Sequence, residues 1–242
     1  MSYLQGFFLA VVQGITEFLP VSSSGHLNLL QHFLELKPSL TLDIFLNTAT
    51  LFSVLFFFRT KIKYFFNNLP YIIIGSIPAA LVGIFLKDQV EVIFSNLNLL
   101  PYFFLITALC LLSTKFLPFR NEALNIKKAL IIGIFQAIAI LPAVSRSGST
   151  IFAGLLVGLS SVESFNFSFS LFIPASLGAL LLDVKNLNSL NILQPNLVLS
   201  FLTTFIVGVL ALTILNKLLV KRKLWYFGVY VFILAIWLFF VL

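Results

Sequence analysis

One cysteine, one methionine, two histidines and eight acidic residues are all of those types that this chain of 242 residues carries, and each shortage closes off a class of function. Cys110, alone inside an apolar run, excludes a disulfide framework and a thiolate metal site. The first ten residues hold no Lys or Arg, which a secretory leader requires, so the N-terminus is expected to be that of the mature chain. Charged residues make up 10% of the sequence against 60% hydrophobic, and the mean hydropathy is +1.09. Such values exclude a soluble globular domain and predict a polytopic membrane protein. The net charge of +7 does not imply nucleic acid as a partner: the basic residues fall in short loops between apolar runs, where they report topology beside membrane lipids.

What is abundant is apolar sequence of spanning length. Stretches over residues 40–58, 69–86, 99–117, 162–182, 196–219 and 224–242 predict about six transmembrane helices, with Pro78 and Pro174 expected to kink two of them. Two other regions, 3–19 with 24–36 and 124–141 with 149–159, do not divide into pairs of spans. A helix over 149–159 would be about 16 Å long, roughly half the hydrocarbon thickness. Each region therefore reads as a re-entrant helical hairpin whose polar tip ends inside the protein, where irregular backbone is tolerated. The expected fold is all-α, a single integral membrane domain over 1–242.

Charge placement favours this layout. If both hairpins return to the side they came from, one side receives Arg59, Lys61, Lys63, Lys115, Arg120, Lys127, Lys128, Lys217, Lys221, Arg222 and Lys223. The other receives only Lys37, Lys87 and Lys185, so the basic side is cytoplasmic and both termini lie outside. A repeat is also visible. A shift of 123 positions lays Gln13 on Gln136, Ser22 on Ser145, Ser24 on Ser147 and Gly25 on Gly148, and Ile77-Pro78-Ala79 recurs as Ile173-Pro174-Ala175. Each unit, about 1–122 and 123–242, holds a hairpin and three spans; an odd number inverts the second copy, so the two tips are expected to meet near the midplane.

The first tip reads Gln13-Gly-Ile-Thr-Glu17-Phe-Leu-Pro20-Val-Ser22-Ser23-Ser24-Gly-His26. Gln13 and Glu17 share a helix face, Pro20 ends that helix, and a new one is expected to begin within the serines and present free N–H groups to an anion. Glu17 and His26 would then serve as metal ligand, general base or general acid, with Ser22 or Ser23 as hydroxyl nucleophile. A capped turn is the plain alternative, but an ionisable group at membrane depth costs about 2.5 to 3.5 kcal/mol and marks function by default. The second tip, Pro142-Ala143-Val144-Ser145-Arg146-Ser147-Gly148-Ser149-Thr150, carries the one basic residue of the apolar interior. A guanidinium binds phosphate oxygens bidentately and cannot lose its charge. A bare salt bridge to Glu17 would not need serines on both tips.

These two tips, residues 13–26 and 145–150, resemble the undecaprenyl-diphosphate phosphatases of the bacitracin-resistance type, and the resemblance covers essentially the whole chain. It implies a bacterial inner-membrane enzyme with two re-entrant hairpins that removes the terminal phosphate of a C55 polyprenyl diphosphate used in cell-wall synthesis. Position by position, Gln13 and Glu17 match the family's Glu/Gln-x-x-x-Glu element, Ser22, Ser23 and His26 its Ser-Ser-x-Gly-His, and Ser145, Arg146 and Thr150 its second motif. Two departures stand out: Ala143 where the family usually has Gly, and Asn47 where it commonly has His after Asp43.

The expected mechanism is phosphoryl transfer by positioning and charge neutralisation. Ser22, Ser24, Ser145, Arg146, Ser147 and Thr150 would hold the phosphates, with a divalent cation, Mg2+ or Ca2+, on Glu17 and Gln13. Ser23 would attack, or a water in its place, with His26 or Glu17 handling the proton. The pocket is expected to open outward, and a homodimer is left open. The competing readings are a lipid flippase or inverted-repeat transporter of an anionic substrate, and the other membrane phosphatase class, which needs a second His where Phe152 stands. His32 reads as interfacial, and Asp43, Glu163 and Asp183 as solvated span ends.

Overall fold

The computed structural model describes residues 2–36, 39–94, 96–187 and 193–242, with the backbone alone at 40, 87–88, 91 and 183–187. Lys37 and the side chains of Lys87, Lys185 and Asp183 thus lie outside the described residues. Among those described there is no strand; the chain is helical throughout. In order the helices are α1 (Tyr3–Thr16), α2 (Ser23–Phe33), α3 (Leu40–Phe57), α4 (Ile62–Asn67), α5 (Leu69–Phe85), α6 (Lys87–Phe94), α7 (Leu100–Ser113), α8 (Ile126–Ile138), α9 (Arg146–Leu156), α10 (Ser161–Leu187), α11 (Pro195–Val220) and α12 (Trp225–Val241).

Local chemistry sets the helix starts. Ser2 and Gln5 form a reciprocal capping box on α1, and Ser39, Asn125 and Ser145 accept backbone N–H groups at the heads of α3, α8 and α9. Proline stands in the first turn of α5, α7 and α11, where its missing N–H costs nothing. Pro78 and Pro174, by contrast, lie inside α5 and α10.

Among the described residues three helices are long and apolar enough to cross a membrane: Leu97–Phe116, Ser161–Leu182 and Pro195–Val220. Thr41–Phe57 joins Arg59–Asn67 through a 58° bend, and the pair makes a fourth if counted as one span. The remaining two expected spans are apolar helices of 17 residues, Leu69–Phe85 and Trp225–Val241, about 25 Å each. The coarse reading therefore holds: an all-α, multi-pass membrane protein. Between α1 and α2, and between α8 and α9, the chain breaks and turns back, and each short pair packs on itself. The second return helix begins at Arg146 and ends at Leu156, three residues earlier than the sequence spacing predicts, because Ser145 rather than Ser149 caps it.

Around the tips, α1 lies against α11 and α8 against α5; α3 packs on α10 and α11, α10 on α5, and α7 on α12. With no aqueous driving force between spans, such contacts depend on close backbone approach and interhelical hydrogen bonds. Thr204 Oγ1 donates to Ala10 O (3.2 Å) and Ser53 Oγ to Phe205 O (2.9 Å), tying α11 to α1 and α3. At the α8–α5 crossing a Cβ on Gly133 would stand 2.9 Å from the carbonyl carbon of Gly75 and closer still to its oxygen, whereas Gly83 faces open space. Gly133→Ala is expected to cost about 1–3 kcal/mol and lower the thermal midpoint in detergent, while Gly83→Ala leaves it unchanged or slightly raised.

Candidate active site

Glu17 ends α1, and its carboxylate gathers the partners that the sequence could only align. Gln13 Nε2, one turn back, donates to Oε2 at 3.1 Å; Ser23 Oγ, the first residue of α2, donates to the same oxygen at 2.5 Å. Arg146 Nη2, at the head of α9 and 129 positions away in sequence, donates to Oε1 at 2.8 Å. The pair is largely buried, with side-chain exposures of 9% for Glu17 and 15% for Arg146. The guanidinium lies 3.9 Å above the Phe172 ring of α10, and its Nη1 is buried without a partner. An unsatisfied, permanently charged donor inside a protein is costly. It is therefore a group prepared for an anion.

Other contacts lock the tips together. Ala143 N donates to Ser24 Oγ at 3.4 Å, and a Cβ on Gly25 would meet Phe104 and Ala143, so only Gly lets the tips close. Ala143 sits at φ 58 and Ser22 at φ 72, both in the region that favours Gly; two residues held there mark a tip constrained by its surroundings. Ser22 begins α2 without a side-chain cap bond, its hydroxyl lying 3.3 Å from Ser24 Oγ. Thr107 of α7 supports the second tip from behind, donating to Ala143 O and accepting from Ser145 N, both at 2.9 Å.

Gln13, Glu17, Ser22, Ser23, Ser24, Ser145 and Arg146 line one cavity of about 290 Å³, with the N-terminal ends of α2 and α9 opening onto it. Three expected site residues do not line it. Ser147 is buried beside Ser145 Oγ (3.3 Å), and Thr150 pins α9 to α10 through Ser168 Oγ (2.6 Å). His26 turns away from the cavity: Nδ1 meets the Ser22 carbonyl at 2.7 Å and Nε2 the Tyr230 hydroxyl at 2.8 Å, with the ring stacked on Tyr230 and edge-on to Phe104. A carbonyl can only accept, so Nδ1 carries a proton, and Nε2 shares its hydrogen bond with the Tyr230 hydroxyl, which can donate or accept.

One residue read from sequence as ordinary belongs to the cavity instead. Asp43, expected to be a solvated span end, lines it, with Oδ1 accepting from Gln31 Nε2 at 2.7 Å; Asn47, one turn on and noted in the sequence as a departure, lines it too. Their i, i+4 spacing at the head of α3, with the family resemblance around Asn47, was the available signal. In the second repeat, Gln136 is buried with neither amide atom partnered, because the position matching Glu17 holds Ile140.

Among the described residues no cluster of three or more His, Cys, Asp or Glu could cage a metal alone. Magnesium does not need one, since it is commonly held by one or two carboxylates together with substrate phosphates. Glu17 and Asp43 on one cavity wall, with Gln13 free to offer its carbonyl oxygen, fit that manner of binding.

The family described as Bacitracin resistance protein BacA matches the chain over residues 6–237. Among similar proteins, an undecaprenyl-diphosphatase of Thermosipho africanus is 39% identical, with 96% of this chain and 98% of the relative aligned. An undecaprenyl-diphosphatase of Methanobrevibacter smithii is 37% identical over 98% and 96% of the two chains. Undecaprenyl-diphosphatase 1 of Bacillus cereus is 34% identical over 96% and 95%.

Proposed function

We infer the reaction from the premise that the chain belongs to the bacitracin resistance protein BacA family: it is an undecaprenyl-diphosphatase. It removes the terminal phosphate of undecaprenyl diphosphate and leaves the lipid monophosphate carrier of cell-wall synthesis. Glu17, hydrogen-bonded to Ser23 on one oxygen and to Arg146 on the other, is the observation that carries the mechanism.

Arg146, with its unpartnered Nη1 and the two helix N-termini, receives the diphosphate. Ser23 Oγ attacks the terminal phosphorus and its proton passes to Glu17 Oε2, already in contact. The bond from phosphorus to the bridging oxygen breaks, and the polyprenyl monophosphate leaves. Water then attacks the phosphoserine: as the bond from phosphorus to Ser23 Oγ breaks, Oγ takes back its proton from Glu17, one water proton stays on the departing inorganic phosphate and the other passes to solvent. Glu17, Asp43 and Gln13 would hold a divalent cation, Mg2+ or Ca2+, which supplies charge neutralisation of the phosphate oxygens. His26 acts as a positioning residue, holding the Ser22 carbonyl and so the start of α2 beneath Ser23. An acid-quenched turnover is expected to show phosphoserine at Ser23 by mass spectrometry, and Ser23→Ala to lose a hundredfold or more in kcat. Near wild-type turnover in Ser23→Ala would assign the attack to a water activated by Glu17.

In the membrane we place six spans, α3 with α4, α5, α7, α10, α11 and α12, and two re-entrant hairpins, α1–α2 and α8–α9. Helix pairing supports an inverted repeat of about 1–122 and 123–242. Exchanging α1 with α8, α3 with α10, α5 with α11 and α7 with α12 turns the α1–α11 contact into α8–α5 and α3–α11 into α10–α5; α3–α10 and α7–α12 return to themselves. The gathering of basic residues in the loops of one side supports putting that side in the cytoplasm of the plasma membrane, with both termini outside and the cavity facing outward. A Ser24→Cys variant is expected to react with an impermeant maleimide added outside intact cells. Labelling only from the cytoplasmic face of inverted vesicles would reverse the orientation.

A further inference from the structure

A second cavity, of about 360 Å³, lies where α3 bends by 58° into α4. Its wall is largely apolar, with Leu55, Phe58, Phe65, Phe169 and Ile173. Its rim carries Arg59 and Lys61. It lies at the bend, where α4 turns aside and leaves Ile173 of α10 partly exposed.

Among the described residues the two cations at the rim have no anionic partner. Lys61 Nζ donates to Asn166 Oδ1 at 2.8 Å and sits 5.3 Å from the Phe58 ring; Arg59 Nη1 donates to Phe56 O at 2.8 Å and stacks 4.1 Å over the Phe56 ring. The nearby carboxylate, Glu163, accepts from Tyr64 OH at 2.6 Å, and among the described residues no carboxylate pairs with Arg59 or Lys61. Two uncompensated cations above an aromatic slot, at the end of the molecule where the basic loops gather, suit a ligand with an anionic head and a hydrocarbon tail. Free phosphate would leave the slot unfilled, and a zwitterionic head would bring its own cation against Arg59 and Lys61.

We propose that this cavity binds an anionic phospholipid of the adjoining leaflet, its phosphate between Arg59 and Lys61 and an acyl chain along Phe58, Phe65 and Ile173. The site is separate from the catalytic cavity, and the lipid binds whatever reaction occurs there. One ring lies near both: Phe169 lines this cavity, and the Arg146 guanidinium lies 5.9 Å from its centroid.

The test is native mass spectrometry of the full chain in detergent, titrated separately with phosphatidylglycerol, phosphatidylcholine and undecaprenyl monophosphate. Wild type is expected to retain phosphatidylglycerol about 30-fold more tightly than phosphatidylcholine, from two cations each favouring an anionic head. Arg59→Gln with Lys61→Gln should erase that preference, and Leu55→Trp, which fills the mouth, should weaken phosphatidylglycerol while leaving both cations in place. Hydrolysis of polyprenyl diphosphate in lipid-free detergent is expected to be unchanged in both variants, which shows that they fold. Equal retention of the two phospholipids, a preference that survives the double substitution, or selective retention of undecaprenyl monophosphate over phosphatidylglycerol would overturn the proposal.

Discussion

Arg146→Ala is expected to reduce kcat/KM for undecaprenyl diphosphate by about a thousandfold or more, the range seen when a preorganised charge donor to a transferring phosphoryl group is removed. The residue has two jobs at once. Through Nη2 it holds Glu17, and its Nη1, buried and unpartnered, leaves a donor for an anion. Its loss strands a carboxylate that is 9% exposed, so unfolding in detergent should also become easier by about 3–5 kcal/mol. Arg146→Lys should restore much of the stability but little of the activity. An ammonium can pair with Glu17, yet it lacks the planar fork that grips two oxygens and stacks on Phe172. An Arg146→Lys enzyme with near-normal kcat would show that only a point charge is needed there.

Glu17→Gln is expected to behave differently. The amide keeps the shape, and its one oxygen can still accept from Arg146 while its NH2 donates to Ser23 Oγ, but it takes no proton, so kcat should fall by about a hundredfold to ten-thousandfold. Substrate binding should not weaken. With the carboxylate gone, the guanidinium is uncompensated and the cavity more positive, so KM should stay level or fall while kcat collapses. The opposite result, a raised KM with kcat preserved, would make Glu17 a binding residue and remove the base from the mechanism. Combining Glu17→Gln with Arg146→Gln should cost less stability than the two single changes summed, because each single change leaves a buried group facing a lost partner.

The sequence made the helices and tips legible for identifiable reasons. Runs of apolar residues locate spans, proline and serine locate breaks, and ionisable groups inside oil mark a site, so Glu17, Ser23 and Arg146 stood out before any geometry was known. Side-chain direction did not. His26 follows Ser23 by three positions, close enough to suggest a shared cavity, but the helix turns it toward Tyr230 of α12, a contact 204 positions away in sequence. Thr150 sits in a hydroxyl-rich motif, yet its partner is Ser168 on the neighbouring helix. Asp43 was misread because a carboxylate near a span end is usually solvated, and only the packing of α2 beside α3, which brings Gln31 to it, shows otherwise. Span ends were read slightly long: α5 and α12 are 17 residues each, shorter than the apolar runs that contain them, because caps and turns take the ends.

The buried ion pair also bears on biogenesis. Glu17 leaves the ribosome 129 residues ahead of Arg146, an interval on the order of ten seconds at ordinary synthesis rates. Throughout that interval the acid has no guanidinium to meet. The amino-terminal half must therefore wait at the translocon exit, its tip hydrated or protonated, until the other half arrives to neutralise it. Final docking of the halves is then a late event in maturation, since the ion pair across the tips cannot close before Arg146 is made.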